Sequence, residues 1–157
     1  MKKRIKTGLR LLMMAVASMV FSVNILKAQI MNPVKWSYAA KLGAGGVATI
    51  YLKASIEEGW HVYSVNQKPG GPQKTVFTFA KSPAYTLIGK VTEPKPLAKF
   101  EEVFDIQVMY FSNEVVFQQK VKLKGKQATV KGKVGFMACT DQQCLPPDEV
   151  EFSVLVK

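Results

Sequence analysis

From Val34 onward apolar and polar residues alternate with a period of two, and no sustained run shows the 3.6-residue period of a helix. The alternation is carried by Val34–Leu42, Val47–Ile56, Trp60–Val65, Thr75–Phe79, Tyr85–Val91, Gln107–Phe111, Val115–Leu123, Ala128–Phe136 and Val150–Val156. These segments are rich in β-branched and aromatic residues, which fit a pleated, half-buried surface, and they predict roughly eight or nine strands. Turn signals separate them: Gly43-Ala44-Gly45-Gly46, Lys68-Pro69-Gly70-Gly71-Pro72, Lys81-Ser82-Pro83, Pro94-Lys95-Pro96, Ser112-Asn113 and Lys124-Gly125-Lys126. Strands at this spacing predict an all-β fold, an antiparallel sandwich of immunoglobulin type. Two longer connections, Gln67 to Lys74 and about Thr92 to Asp105, stand out, because long loops tend to carry function.

The first 28 residues follow a different pattern. A basic start, MKKRIKTGLR, precedes an apolar run from Leu11 to Phe21, and Leu26-Lys27-Ala28 precedes Gln29. This reads as a signal peptide over residues 1–28, with the mature domain at residues 29–157. An uncleaved anchor is the alternative. Ser18, Ser22 and Asn24 interrupt the run, and a membrane span needs about 20 consecutive apolar residues, so cleavage is the preferred reading. No cysteine lies near the end of the signal to take a lipid, and no later segment could span a membrane.

Charge changes little in this picture. The formal net charge is +11, but six of the 22 basic residues lie in the first 28 positions, leaving sixteen basic against eleven acidic residues, a net of +5. The remaining lysines alternate singly with apolar residues, as in Lys120-Val121-Lys122-Leu123-Lys124, which is the solvated face of a strand and no nucleic-acid site.

The candidate chemistry lies in the two cysteines, in Phe136-Met137-Ala138-Cys139-Thr140-Asp141-Gln142-Gln143-Cys144-Leu145-Pro146-Pro147. An even cysteine count in an exported chain points to a disulfide. Facing residues at the mouth of a hairpin lie about 4.5–5.5 Å apart, within disulfide range. Such a bridge is either a structural staple or a reactive pair. Closing a loop of about six residues stabilises by only ~2 kcal/mol, and a domain of this length buries enough core without it. A short-loop pair is better suited to being opened and closed in the folded state, given one sulfur accessible to a partner thiolate.

The cysteine segment, with the tail Val150-Glu151-Phe152, resembles the active-site region of the periplasmic amino-terminal domain of DsbD-type thiol:disulfide interchange proteins. Gly59-Trp60-His61-Val62-Tyr63 is similar to the family's site-lining strand, and Glu102-Val103-Phe104-Asp105, with the strand to Phe111, resembles its cap loop. The resemblance implies that Cys139 and Cys144 cycle between dithiol and disulfide, that Cys144 forms mixed disulfides with partners and that Cys139 resolves them. It implies that Phe104 shields the pair and that Glu102 and Asp105 raise the thiol pKa, with His61 and Tyr63 also around the site. Two departures accompany the likeness: the loop between the cysteines is one residue shorter, and His61 stands where an aromatic is found. The implied function is an oxidoreductase-type relay without cofactor. It takes electrons from a thioredoxin-like donor and passes them to oxidised periplasmic proteins of the disulfide isomerase kind. The implied compartment is the periplasm, with full secretion as the alternative. The chain has neither the family's membrane domain nor its thioredoxin-like domain, so those partners are expected to be separate proteins.

Other readings are weaker. His61, the single histidine, reads first as a partly buried polar residue of a strand. Two cysteines and one histidine leave zinc a ligand short, and copper(I) held by Cys139, Cys144 and Met137 is a third reading. Asp141 and Glu149 read as turn and surface residues, and no hydrolase constellation can be placed. The alternative from another class is an exported immunoglobulin-like binding or adhesion module with an inert disulfide, because sandwiches host both kinds of function.

Overall fold

The computed structural model describes residues 31–102 and 105–157. The signal peptide read over residues 1–28 therefore lies outside the described residues, as does Phe104. Eleven strands form among the described residues: β1 (Val34–Leu42), β2 (Val47–Ile56), β3 (His61–Tyr63), β4 (Val76–Phe79), β5 (Tyr85–Thr92), β6 (Leu97–Glu101), β7 (Ile106–Ser112), β8 (Glu114–Leu123), β9 (Ala128–Phe136), β10 (Ala138–Cys139) and β11 (Asp148–Val156). They build three antiparallel sheets, ordered β1-β2-β8-β5, β10-β3-β7-β6 and β11-β9-β4. Among the described residues no helix is long and apolar enough to cross a membrane.

Alternation decides which faces are buried. In β8 every second residue from Val115 to Leu123 points inward and the lysines between them point to solvent. In β2 Ala48, Ile50, Leu52, Ala54 and Ile56 do the same. These rows meet Val130 and Val134 of β9 and Phe152, Val154 and Val156 of β11 in one core. Its centre is aromatic: Trp36 lies 5.4 Å from Phe136, 5.8 Å from Phe77 and 6.1 Å from Phe117 between ring centroids. The expected immunoglobulin-like sandwich is the observed architecture.

The buried row of β8 contains one polar residue, Gln119. Its amide donates to the carbonyls of Ile88 (3.0 Å) and Lys120 (2.8 Å), where the pairing of β5 with β8 shifts register between Ile88 and Thr92. Gly89 supplies the positive φ of 67° at this bulge. A buried amide thus takes up a carbonyl that the broken ladder leaves free.

The strand readings hold at β1, β2 and β9 with the same bounds, and at β8 with the strand starting one residue earlier, at Glu114. The connection from Thr92 to Asp105, expected as a long loop, instead contains β6, which pairs with β7 from Leu97↔Tyr110 to Glu101↔Ile106. Pro94 and Pro96 hid it, because prolines in front of a short edge strand read as loop. The other long connection is tied at both ends. The side-chain amide oxygen Oε1 of Gln67 accepts from the Met109 N–H (2.7 Å), and the Thr75 hydroxyl donates to the Tyr63 backbone carbonyl (2.5 Å).

Candidate functional site

The cysteines sit where the chain changes sheets. Phe136 ends β9, pairing with Asp148 of β11, and two residues later Ala138 pairs with Val62 of β3 in a different sheet. This step of β10 lays Cys139 opposite His61. The chain then turns: the Thr140 N–H donates to the Gln143 carbonyl (2.7 Å) and the Leu145 N–H to the Ala138 carbonyl (2.9 Å), so that Cys139 and Cys144 face each other as a bridge. The Thr140 hydroxyl accepts from the N–H groups of Gln142 (3.2 Å) and Gln143 (3.1 Å), which fixes the turn from inside. Cys139 and Cys144 form a disulfide, with α-carbons 4.0 Å apart.

The two sulfurs have unlike surroundings. Cys139 is 1% exposed and packs in a small cluster with Tyr63 and Val108, flanked by Ile106, Tyr110 and Met137. Cys144 is exposed, followed by the exposed Pro146 and Pro147. Cys144 is therefore the sulfur open to solvent, and Cys139 lies behind it.

Register places the rest of the face. His61 pairs with Cys139 on one side and Ser112 on the other, and Tyr63 pairs with Tyr110. Paired residues of antiparallel strands, and residues two apart, share a face. His61, Tyr63, Tyr110 and Cys139 thus lie on one face, while Val62, Phe111 and Ala138 turn the other way into the main core. The His61 ring lies 5.4 Å from the Tyr63 ring and 5.1 Å from that of Tyr110, and Nε2 is 3.1 Å from the Tyr63 hydroxyl. Burial pushes the His61 pKa below the usual value of 6.5. Lys99 acts in the same direction, and Asp141 and Glu101 oppose it. Burial also pushes the Tyr63 hydroxyl up to about 12.

One cation joins this face to the cysteine turn. Lys99 of β6 donates to Asp141 between the cysteines (2.8 Å) and to Glu101 (2.7 Å), and its ammonium lies 5.6 Å from the Tyr110 ring centroid. The two carboxylates hold Lys99 above the usual lysine range, and the hydrogen bond from Lys99 lowers Asp141. Asp141, read from sequence as a turn residue, also anchors the turn to β6. Lys99 and Glu101 were missed because their strand was read as loop; the alternation Leu97, Lys99, Glu101 was the available signal.

The expected cap residues are placed only in part. Glu102 and Asp105 are exposed and flank the turn that joins β6 to β7, where Asp105 takes a positive φ of 52° and its N–H donates to the Glu102 carbonyl (3.3 Å). Of the expected cap, Glu102 and Asp105 thus lie between β6 and β7. Phe104 lies outside the described residues, and the ion pair that reaches the cysteine turn among the described residues comes from Lys99.

The family model for the N-terminal part of the thiol:disulfide interchange protein DsbD matches residues 27–156. The chain belongs to this DsbD N-terminal family. No curated protein matches it by sequence. The chain is similar in structure to the DsbD N-terminal domain of Neisseria meningitidis in its reduced form, with TM-score 0.56 and 18% identity over 79% of this chain and 88% of that one. It is also similar to the N-terminal periplasmic domain of ScsB from Proteus mirabilis, with TM-score 0.57 and 18% identity, covering 83% of this chain and 49% of that one. A third likeness is to the complex of the DsbD and PilB N-terminal domains from Neisseria meningitidis, with TM-score 0.53 and 15% identity over 80% and 87%. At these identities the solved structures speak for the fold, and family membership rests on the sequence match.

Proposed function

We propose that this DsbD-family domain is an exported thiol:disulfide exchange protein. It relays electrons from a thioredoxin-like dithiol to oxidised periplasmic proteins through Cys139 and Cys144. The observation that carries the reading is the asymmetry of the bridge, with Cys144 exposed on a surface turn and Cys139 buried behind it. A donor thiolate attacks Cys144 in line with the disulfide. The Cys144–Cys139 bond breaks and the electron pair leaves on Cys139. The donor's second thiolate then resolves the mixed disulfide and leaves the domain reduced. Towards an oxidised acceptor the steps reverse in role: Cys144 attacks and Cys139 closes. The chemistry needs no cofactor.

Three observations support it. The bridge closes a short turn whose hydrogen bonds do not depend on the sulfurs, so opening it leaves the ladders of the sheets intact. A relative of the same family is solved in a reduced form, and another in complex with a second protein domain. The family's periplasmic setting agrees with a signal peptide over residues 1–28 and a mature domain from residue 29. By the family resemblance Phe104 would shield the pair from wrong thiols, and Glu102 and Asp105, on either side of the β6–β7 turn, would raise the thiol pKa.

The test is the reduction potential of the Cys139–Cys144 pair in the folded protein, equilibrated against glutathione buffers and read by thiol alkylation. A value between about −270 and −180 mV makes it a relay; one below about −300 mV makes it a staple and leaves an exported binding module as the account.

A further inference from the structure

We propose that His61 is the general base that takes the proton from Cys139 when that sulfur closes the disulfide, and the acid that returns it when the bridge is opened. This rests on the exchange function proposed above and adds a residue to it.

The geometry begins with register. His61 is the direct β-ladder partner of Cys139, so the two side chains leave the same face of the sheet, and facing β-carbons of such a pair lie about 4.5–5.5 Å apart. That spacing is within reach of an imidazole nitrogen for a sulfur. Both residues are buried, at 5% and 1% exposure, so water competes poorly for the proton. Around the sulfur are Tyr63, Val108, Ile106, Tyr110 and Met137, which are poor bases at neutral pH. Burial in apolar surroundings favours a neutral thiol, whereas only the thiolate attacks a disulfide. A buried resolving cysteine therefore needs a base beside it, and His61 is the chain's single histidine.

The second ring nitrogen is occupied. Nε2 lies 3.1 Å from the Tyr63 hydroxyl, and Tyr63 keeps its proton to about pH 12. With Nε2 carrying the ring hydrogen and donating it to the Tyr63 phenol oxygen, Nδ1 holds the lone pair and is the nitrogen that accepts a proton. The charged and titratable groups facing the ring are Tyr63 on its own strand, Tyr110 from β7, Lys99 and Glu101 from β6, and Asp141 from the cysteine turn. Burial and Lys99 outweigh the two carboxylates, so the imidazole is neutral at pH 7 and able to accept.

The step balances as follows. With a partner sulfur bound to Cys144, neutral His61 takes the proton of the Cys139 thiol and becomes imidazolium. The Cys139 thiolate attacks the Cys144 sulfur, a Cys139–Cys144 bond forms, and the bond from Cys144 to the partner breaks. The electron pair departs on the partner's sulfur, which is reduced to a thiolate. The imidazolium then loses its proton to that thiolate or to water. The reverse reaction runs through the same states.

The test uses closure in a single turnover. Reduced protein is mixed with 5,5′-dithiobis(2-nitrobenzoate): the first thionitrobenzoate released reports attack by Cys144, and the second reports closure by Cys139. For the wild type the closure rate rises with pH and levels off below pH 7, as the imidazole loses its proton. In His61→Gln closure is about 100-fold slower at pH 7, and its rate keeps rising with pH into the thiol range. His61→Tyr keeps an aromatic ring in the same place without a base at neutral pH, and it gives the same result should the glutamine variant fold poorly. Closure in the variants at the wild-type rate, or slowed with an unchanged pH profile, overturns the assignment. A wild-type protein that never releases the second thionitrobenzoate overturns the exchange function itself, a failure distinct from insensitivity to His61.

Discussion

The large core between the sheets and the small cluster around Cys139 are both buried, yet they hold different chemistry. The first is built from Ile50, Leu52, Phe117, Val121, Val130 and Val134, all fully buried, around aromatic rings that meet edge-on or tilted. The second gathers Tyr63, Val108 and Cys139 with His61 alongside, and Lys99, Glu101 and Asp141 on its rim. One sheet serves both: Val62, Phe111 and Ala138 face the large core, and His61, Tyr63 and Tyr110 face the sulfur. Stability is thereby housed on one face and reactivity on the other, so a disulfide can open on the second while the first stays packed.

The largest effect that would test this separation is Phe117→Ala. Removing a fully buried ring costs about 3–5 kcal/mol, a fall of the melting midpoint on the order of 10 °C or more, with the reduction potential of the pair unmoved. A potential that shifts along with the melting curve would break the comparison.

Next come the cysteines. Cys139→Ser and Cys144→Ser each lose the ~2 kcal/mol of a short crosslink, but their chemistry separates them. Cys139→Ser retains the exposed sulfur and accumulates a mixed disulfide with a dithiol partner, seen as a mass shift on a non-reducing gel. Cys144→Ser traps none. Equal trapping by both would refute the asymmetry of the site.

A smaller effect follows from pH. His61 titrates below its unfolded value of 6.5, so between the two values the unfolded chain holds more protons and stability rises with pH. Its contribution is complete above about pH 6.5 and is lost as pH falls through the folded value. Denaturant midpoints measured from pH 7 to pH 5 should fall less in His61→Tyr than in the wild type. Tyr63 acts with the opposite sign: its folded value of about 12 lies above 10.0, so its contribution is lost as pH rises between them.

The smallest effect is expected for Lys99→Met. Its partner Asp141 is open to solvent, and such pairs are weak and screened by salt. The melting midpoint should stay unchanged at physiological salt, while the cysteine turn, read by amide exchange at Thr140 and Gln143, should open more readily at low salt. Unchanged exchange at those amides would remove Lys99 from the description of the site.

Much of this was legible in the chain. Alternation of period two located β1, β2 and β9 with their observed bounds and β8 to within one residue, because a half-buried strand must repeat every second residue. The cysteine spacing with polar turn residues pointed to the bridge, since a disulfide across a short turn needs only local geometry. Local sequence could not say what faces Cys139. His61 and Tyr63 lie far from it in sequence, and pairing register across the sheet, set by the burial of Val62 and Phe111 on the opposite face, brings them beside the sulfur. Lys99 was hidden for the same reason: a short edge strand behind two prolines has too little pattern of its own, and its pairing with β7 is what makes it a strand. The sequence by itself determined which residues alternate, where the chain turns and which two sulfurs can meet. Only the tertiary structure decided that one of them is buried against a histidine and the other exposed, because burial and register are settled by packing between strands distant in the chain.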